Sequence, residues 1–137
     1  MRIRSNETFK MPAGRYFVGD LCYVMHPQWE EFCDLTIVDN DCVDGQFVLK
    51  SGVKLTHFGT EYGDGRYPDQ LGNEYPVDAG LIGCILVDDI SDPKALMEGG
   101  KIIDFPTDFE CSAQHGGTLN FGHIFIETGD NEELEND

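Results

Sequence analysis

Residues 59–80 of this 137-residue chain, Gly-Thr-Glu-Tyr-Gly-Asp-Gly-Arg-Tyr-Pro-Asp-Gln-Leu-Gly-Asn-Glu-Tyr-Pro-Val-Asp-Ala-Gly, constrain its fold more than any other segment. Glycines, tyrosines and carboxylates fill the segment and aliphatic side chains are nearly absent, so it cannot supply a stripe of hydrophobic core. Glycines placed at tight-turn positions mark a shaped loop rather than a random one. Such a loop is where a binding surface is expected.

The core therefore has to come from the flanking stretches. Arg15 to Val24 is rich in β-branched and aromatic residues and reads as a strand interrupted near Gly19-Asp20. Pro27 opens a short helix in which Trp29, Phe32, Cys33 and Leu35 recur at helical spacing, with Glu30 and Glu31 in the first turn. Gln46 to Lys50 and Val53 to Phe58, separated by Ser51-Gly52, suggest a hairpin. Leu81 to Val87 is almost continuously apolar, the pattern of a central strand buried on both faces. Ser91 to Gly100 reads as a capped helical turn or two stopped by glycine. Lys101 to Phe105, Phe109 to Ala113 and Thr118 to Thr128 are further strands, the last with a slip near Gly122. Strands outnumber helices and no alternating βαβ rhythm is present. The expected fold is mainly β (α+β): a compact antiparallel sheet or sandwich, or a partly closed barrel, with one or two short helices. Residues 1–128 read as one globular domain and residues 129–137 as an acidic disordered tail.

The net charge is -17. Such a surface repels phosphates and anionic headgroups, so direct nucleic-acid or membrane binding is disfavoured. It suits a cation, a basic protein partner, or simple solubility. No stretch approaches the ~20 apolar residues of a membrane span, and the N-terminus lacks the apolar run of a secretory signal. Five cysteines without a Cys-x-x-Cys pair are expected to be free thiols in a reducing cytoplasm.

Several constellations invite chemical readings. Asp39-x-Asp41-x-x-Asp44-Gly45 resembles a calcium loop but fails its register, with Lys50 where the bidentate glutamate belongs, so an ordinary turn is expected. Within the loop, Asp64, Asp69 and Asp78 are the candidate ligands for calcium or magnesium; no other cofactor is expected. Asp78, just before Ala79-Gly80 and the buried strand, is expected to be partly desolvated and to act as a structural clamp. Tyr62, Tyr67 and Tyr75 could form a stacking platform beside Arg66, or merely pin the loop to the sheet. Cys111 and His115 would lie about 13 Å apart in a strand at ~3.3 Å per residue, too far for proton transfer. No hydrolase elbow, Walker loop or metalloprotease helix is present, and no catalytic residue is expected.

Val18-Gly19-Asp20-Leu21-Cys22-Tyr23-Val24, with Trp29 beyond it, then Tyr62-Gly63-Asp64-Gly65-Arg66-Tyr67 and Val77-Asp78-Ala79-Gly80-Leu81-Ile82-Gly83, together resemble a group of small uncharacterised bacteriophage and bacterial proteins. In that group the first motif usually reads Gly-Asp-Pro-Cys-Tyr; here Leu21 takes the proline position. The resemblance spans most of residues 14–128. It implies a β-rich fold and a cytoplasmic setting, the host cytoplasm for a phage protein, and no activity.

Two functional readings follow. The first is a non-catalytic binding or interaction protein acting on a protein partner or small molecule, such as a phage accessory protein directed at a host component. Its recognition residues would be Tyr62, Asp64, Arg66, Tyr67, Tyr75 and Asp78. The second is a metal-assisted hydrolase or lyase acting on a small phosphorylated or glycosylated compound. There Asp64, Asp69 and Asp78 would hold the metal, and His57 or His115 would carry the proton.

Overall fold

The computed structural model describes residues 2–3, 7–90, 99–114 and 116–129. Apart from Gly99 and Gly100, the helical turns expected over 91–100 lie outside the described residues, as do His115 and residues 130–137 of the tail.

In chain order, β1 (Arg2–Ile3), β2 (Phe9–Met11) and β3 (Gly14–Gly19) lead into two 3-10 turns and the helix α1 (Trp29–Thr36). Next come β4 (Ile37–Val38), β5 (Asp41–Val43), β6 (Gly45–Val48) and β7 (Lys54–Gly59). The hairpin of β8 (Gly65–Pro68) and β9 (Glu74–Val77) precedes β10 (Leu81–Leu86). The described chain ends with β11 (Gly100–Phe105), β12 (Phe109–Ala113), β13 (Thr118–Phe121) and β14 (Ile124–Glu127).

Five strands form the central sheet in the order β11-β3-β10-β7-β6, antiparallel throughout. A second antiparallel sheet runs β14-β13-β12-β2. The fold is thus mainly β and antiparallel, as expected, and takes the sandwich form: among the described residues no sheet closes into a barrel.

The middle strands of the central sheet are apolar on both faces because both faces are covered. Tyr16, Val18, Phe58, Ile82 and Cys84 face the second sheet and the β8–β9 hairpin, where they meet Leu119, Phe121, Ile124 and Ile126. Phe17, Leu55, Leu81 and Ile85 point the other way and pack under Leu21, Met25 and the Phe32 ring of α1. Alternate residues of one strand thereby serve two cores. Each such buried side chain contributes about 1.5–3 kcal/mol relative to exposure, most of it offset by lost chain entropy.

Two expectations are corrected. The run 118–128 is not one strand with a slip. It is the hairpin β13–β14, turned at Gly122 with φ 60°, where an added Cβ would lie 2.8 Å from the Phe105 ring. The 59–80 segment is not all loop either: part of it is the β8–β9 ladder, with Tyr67 opposite Tyr75. Alternation is hard to see there because only every second residue is large and prolines and glycines fill the rest. In the stretch 39–45, expected as a turn, Asp39 and Asn40 form one, with φ 53° and 68°, whereas Asp41–Val43 is strand. The left-handed pair joins β4 to β5, a conformation that Asp and Asn tolerate.

A glutamine side chain caps part of each edge of the second sheet. Gln70 donates through Nε2 to His123 O (2.6 Å) and accepts at Oε1 from Phe125 N (2.9 Å), beside a bridge between Asp69 and Ile126 along β14. At the opposite edge, Gln46 Nε2 donates to Lys10 O of β2 (2.7 Å).

Candidate functional site

β3 ends at Gly19, and the next residue reorganises the chain. Asp20 is fully buried. Its Oδ1 accepts from Cys22 N (3.0 Å), starting the 3-10 turn Leu21–Tyr23, while its Oδ2 accepts from Asp78 N (2.8 Å) and Ala79 N (2.6 Å). A buried carboxylate costs several kcal/mol unless its lone pairs are satisfied, and three backbone N–H donors satisfy this one. The clamp expected at Asp78 is therefore made by Asp20. Asp78 itself has an exposed side chain, because only its amide faces inward.

The 3-10 turn carries Tyr23 across to Asp78, to whose carboxylate its hydroxyl donates. Burial, then this bond, raises the Tyr23 phenol well above its ordinary range. The ring packs against Gly99 (φ 72°), where an added Cβ would lie 2.0 Å from it. Here the glycine is required by the close approach.

Tyr23, Asp78, Asp64 and Arg66 line an open cleft of about 440 Å³, floored by Gly65, Pro76 and Val77 of the hairpin. The loop before it is fixed from below: Thr60 N donates to Gly80 O (3.0 Å), and Tyr67 OH donates to Gly63 O (2.9 Å). Three sequence stretches, around Asp20-Tyr23, Asp64-Arg66 and Asp78, thus meet at one place on the surface.

The expected site residues divide. Asp64, Arg66 and Asp78 are brought together. Tyr67 and Tyr75 are fully buried, so no ligand can stack on them; they pin the hairpin onto the core. Tyr62 is 47% exposed but lies outside the cleft lining. Asp69 is buried near the hairpin tip and is spent on it, accepting from Leu71 N (2.9 Å), Asn73 N (3.0 Å), Asn73 Nδ2 (3.2 Å) and Tyr75 OH (2.8 Å). It is therefore not joined with Asp64 and Asp78 as a third ligand, and among the described residues no group of three His, Cys, Asp or Glu side chains has the geometry to hold a metal. His57 is buried between the Phe32 and Phe47 rings (5.0 and 5.5 Å) and does not line the cleft.

Composition and spacing do not single out Asp20 and Tyr23 for the cleft. A signal is present, since a carboxylate after Gly19 interrupts an otherwise apolar strand, but its partners lie about sixty residues away. Neighbouring Cys22 supplies no ready nucleophile. Burial first, then the carboxylates of Asp20, Asp78 and Asp64, push its thiol up to about 12, and the thiolate is the reactive form. What the cleft offers is two carboxylates and one guanidinium on a rigid frame, a set suited to holding charged groups.

In comparisons with family models, with curated proteins and with solved structures, nothing matches this chain.

Proposed function

We propose that this chain is a non-catalytic interaction protein that holds a cationic side chain of a protein partner in the Tyr23–Asp64–Arg66–Asp78 cleft. The observation that carries the reading is the Asp20 clamp: it fixes the backbone of Asp78 and Ala79, so the carboxylate of Asp78 is placed before any partner arrives. Preorganisation of this kind lowers the ordering cost of binding. Two carboxylates against one guanidinium favour an arginine or lysine, which paired carboxylates receive through charge-assisted hydrogen bonds. Arg66 fixes the polarity of the cleft and rejects a second cation at its own end. The resemblance to phage and bacterial proteins makes a host component the target to seek.

The test is a thermal-shift titration with N-acetyl-arginine amide, spermidine, magnesium, calcium and nucleotides. Arginine amide is expected to raise the melting temperature of the parent protein and to have no effect on Asp64→Asn or Asp78→Asn. A shift with magnesium or calcium that is lost in Asp64→Asn, without one for arginine amide, would replace this reading with a metal site.

A further inference from the structure

The outer face of α1 presents a second surface, remote in sequence from the cleft. Phe32 and Thr36 turn into the core, which leaves Glu30, Glu31, Asp34 and Leu35 facing a groove of about 500 Å³ that Val48 and Lys50 close on the far side. Leu35 and Val48, both lining the groove, are 38% and 58% exposed. A single exposed aliphatic residue is ordinary. A pair lining one groove, rimmed by charge, is the composition of an interaction surface.

Charge says what covers it. Glu30 and Glu31 in the first turn complement the helix dipole, whereas Asp34 lies toward the carbonyl end, whose last turn holds no base, and adds negative charge where the dipole is already negative. Glu31 Oε2 accepts from Lys50 N (2.7 Å) and so fixes the groove wall; Lys50 is the one base among the lining residues. Asp39 and Asp41 follow β4. A second copy of a chain of charge -17 would bring like charge to like, while a cationic segment gains at Glu30, Glu31 and Asp34 of the groove wall.

We propose that this corner docks a basic segment of a protein partner, its lysine or arginine side chains reaching Glu30 and Asp34 while an aliphatic residue covers Leu35 and Val48. The surface is separate from the cleft and stands whether or not the cleft binds arginine.

The experiment is an amide chemical-shift titration of the full chain with a short peptide of alternating leucine and lysine, against the same peptide with glutamine for lysine. Saturable shifts at α1 and the Val48–Lys50 segment, independent of any at the cleft, are expected for the lysine peptide only. Affinity at this corner should fall at least about tenfold in the double variant Leu35→Ser/Val48→Ser, and likewise in Glu30→Gln/Asp34→Asn, while Glu110→Gln, an exposed carboxylate outside both surfaces, leaves it unchanged. The charge variant keeps the test valid should the double serine variant not fold. Three results would overturn the proposal: absence of binding, shifts spread over the whole acidic surface with undiminished affinity in both variants, or concentration-dependent shifts at Leu35 and Val48 without peptide, which would make a second copy the occupant.

Discussion

Asp20 accepts three backbone N–H groups from two stretches of chain that are distant in sequence, so its side chain does for the cleft what a ladder of hydrogen bonds does for a strand. Alanine at this position leaves three inward-facing donors without their acceptor, and each such loss costs about 1–3 kcal/mol. Asp20→Ala is expected to lower the unfolding free energy by about 3 kcal/mol, and Asp20→Asn by less, because the amide keeps one carbonyl oxygen as an acceptor. Urea denaturation of the two variants checks this. Equal stability in Asp20→Ala and the parent would mean that the cleft backbone is held by something else. None of this was legible in the local sequence. Gly19-Asp20 reads there as an interruption of a strand, and what makes Asp20 a clamp is the arrival of the Asp78–Ala79 amides from across the sheet.

At the scale of the element, the β8–β9 hairpin is stabilised from inside its own turn. Burial alone would raise the Asp69 carboxyl, but hydrogen bonds from Tyr75, Asn73 and Leu71 outweigh it and hold the group below its ordinary value. A folded-state pKa below the unfolded one means that this stabilisation is fully present above the unfolded value of about 3.9 and is lost as pH falls through the folded one. The hairpin is therefore expected to loosen below about pH 4, seen as reduced protection of the Leu71 and Asn73 amides relative to their intrinsic exchange rates. In Asp69→Asn those amides should already be less protected at neutral pH, with no further loss of protection on acidification. The same element shows where reading by pattern succeeds and where it stops. The tight turn at Leu71-Gly72-Asn73 follows from residue type, and so does the alternative that the tyrosines pin the segment. The ladder itself stayed hidden because Pro68, Pro76 and Gly65 interrupt the alternation that marks a strand. Elsewhere the pattern served well: Leu81–Leu86 sits at the centre of its sheet, since only a strand covered on both faces carries so unbroken an apolar run.

For the whole molecule, the strongest influence that no single contact reveals is its charge. With 26 acidic against 9 basic residues, the compact state works against its own repulsion. Screening shortens the reach of that repulsion from roughly 30 Å at 0.01 M salt to about 3 Å at 1 M. Raising sodium chloride from about 0.02 M to about 0.5 M is expected to raise the melting temperature by at least about 3 °C. A flat or falling response would show the charges to be compensated locally. The fold class was legible at this scale because strand runs and glycine turns recur along most of the chain. The two-core arrangement was not, since which face each alternate residue of β3 and β10 serves depends on sheet order, and sheet order is set by pairings between distant strands.

The two glutamines at the margins of the second sheet have an outcome reaching beyond this molecule. Amyloid growth begins when a stranger's backbone zips onto an unguarded ladder, and here Gln70 occupies the His123 and Phe125 rungs while Gln46 occupies Lys10. Three backbone groups that an incoming strand would need are thereby already engaged.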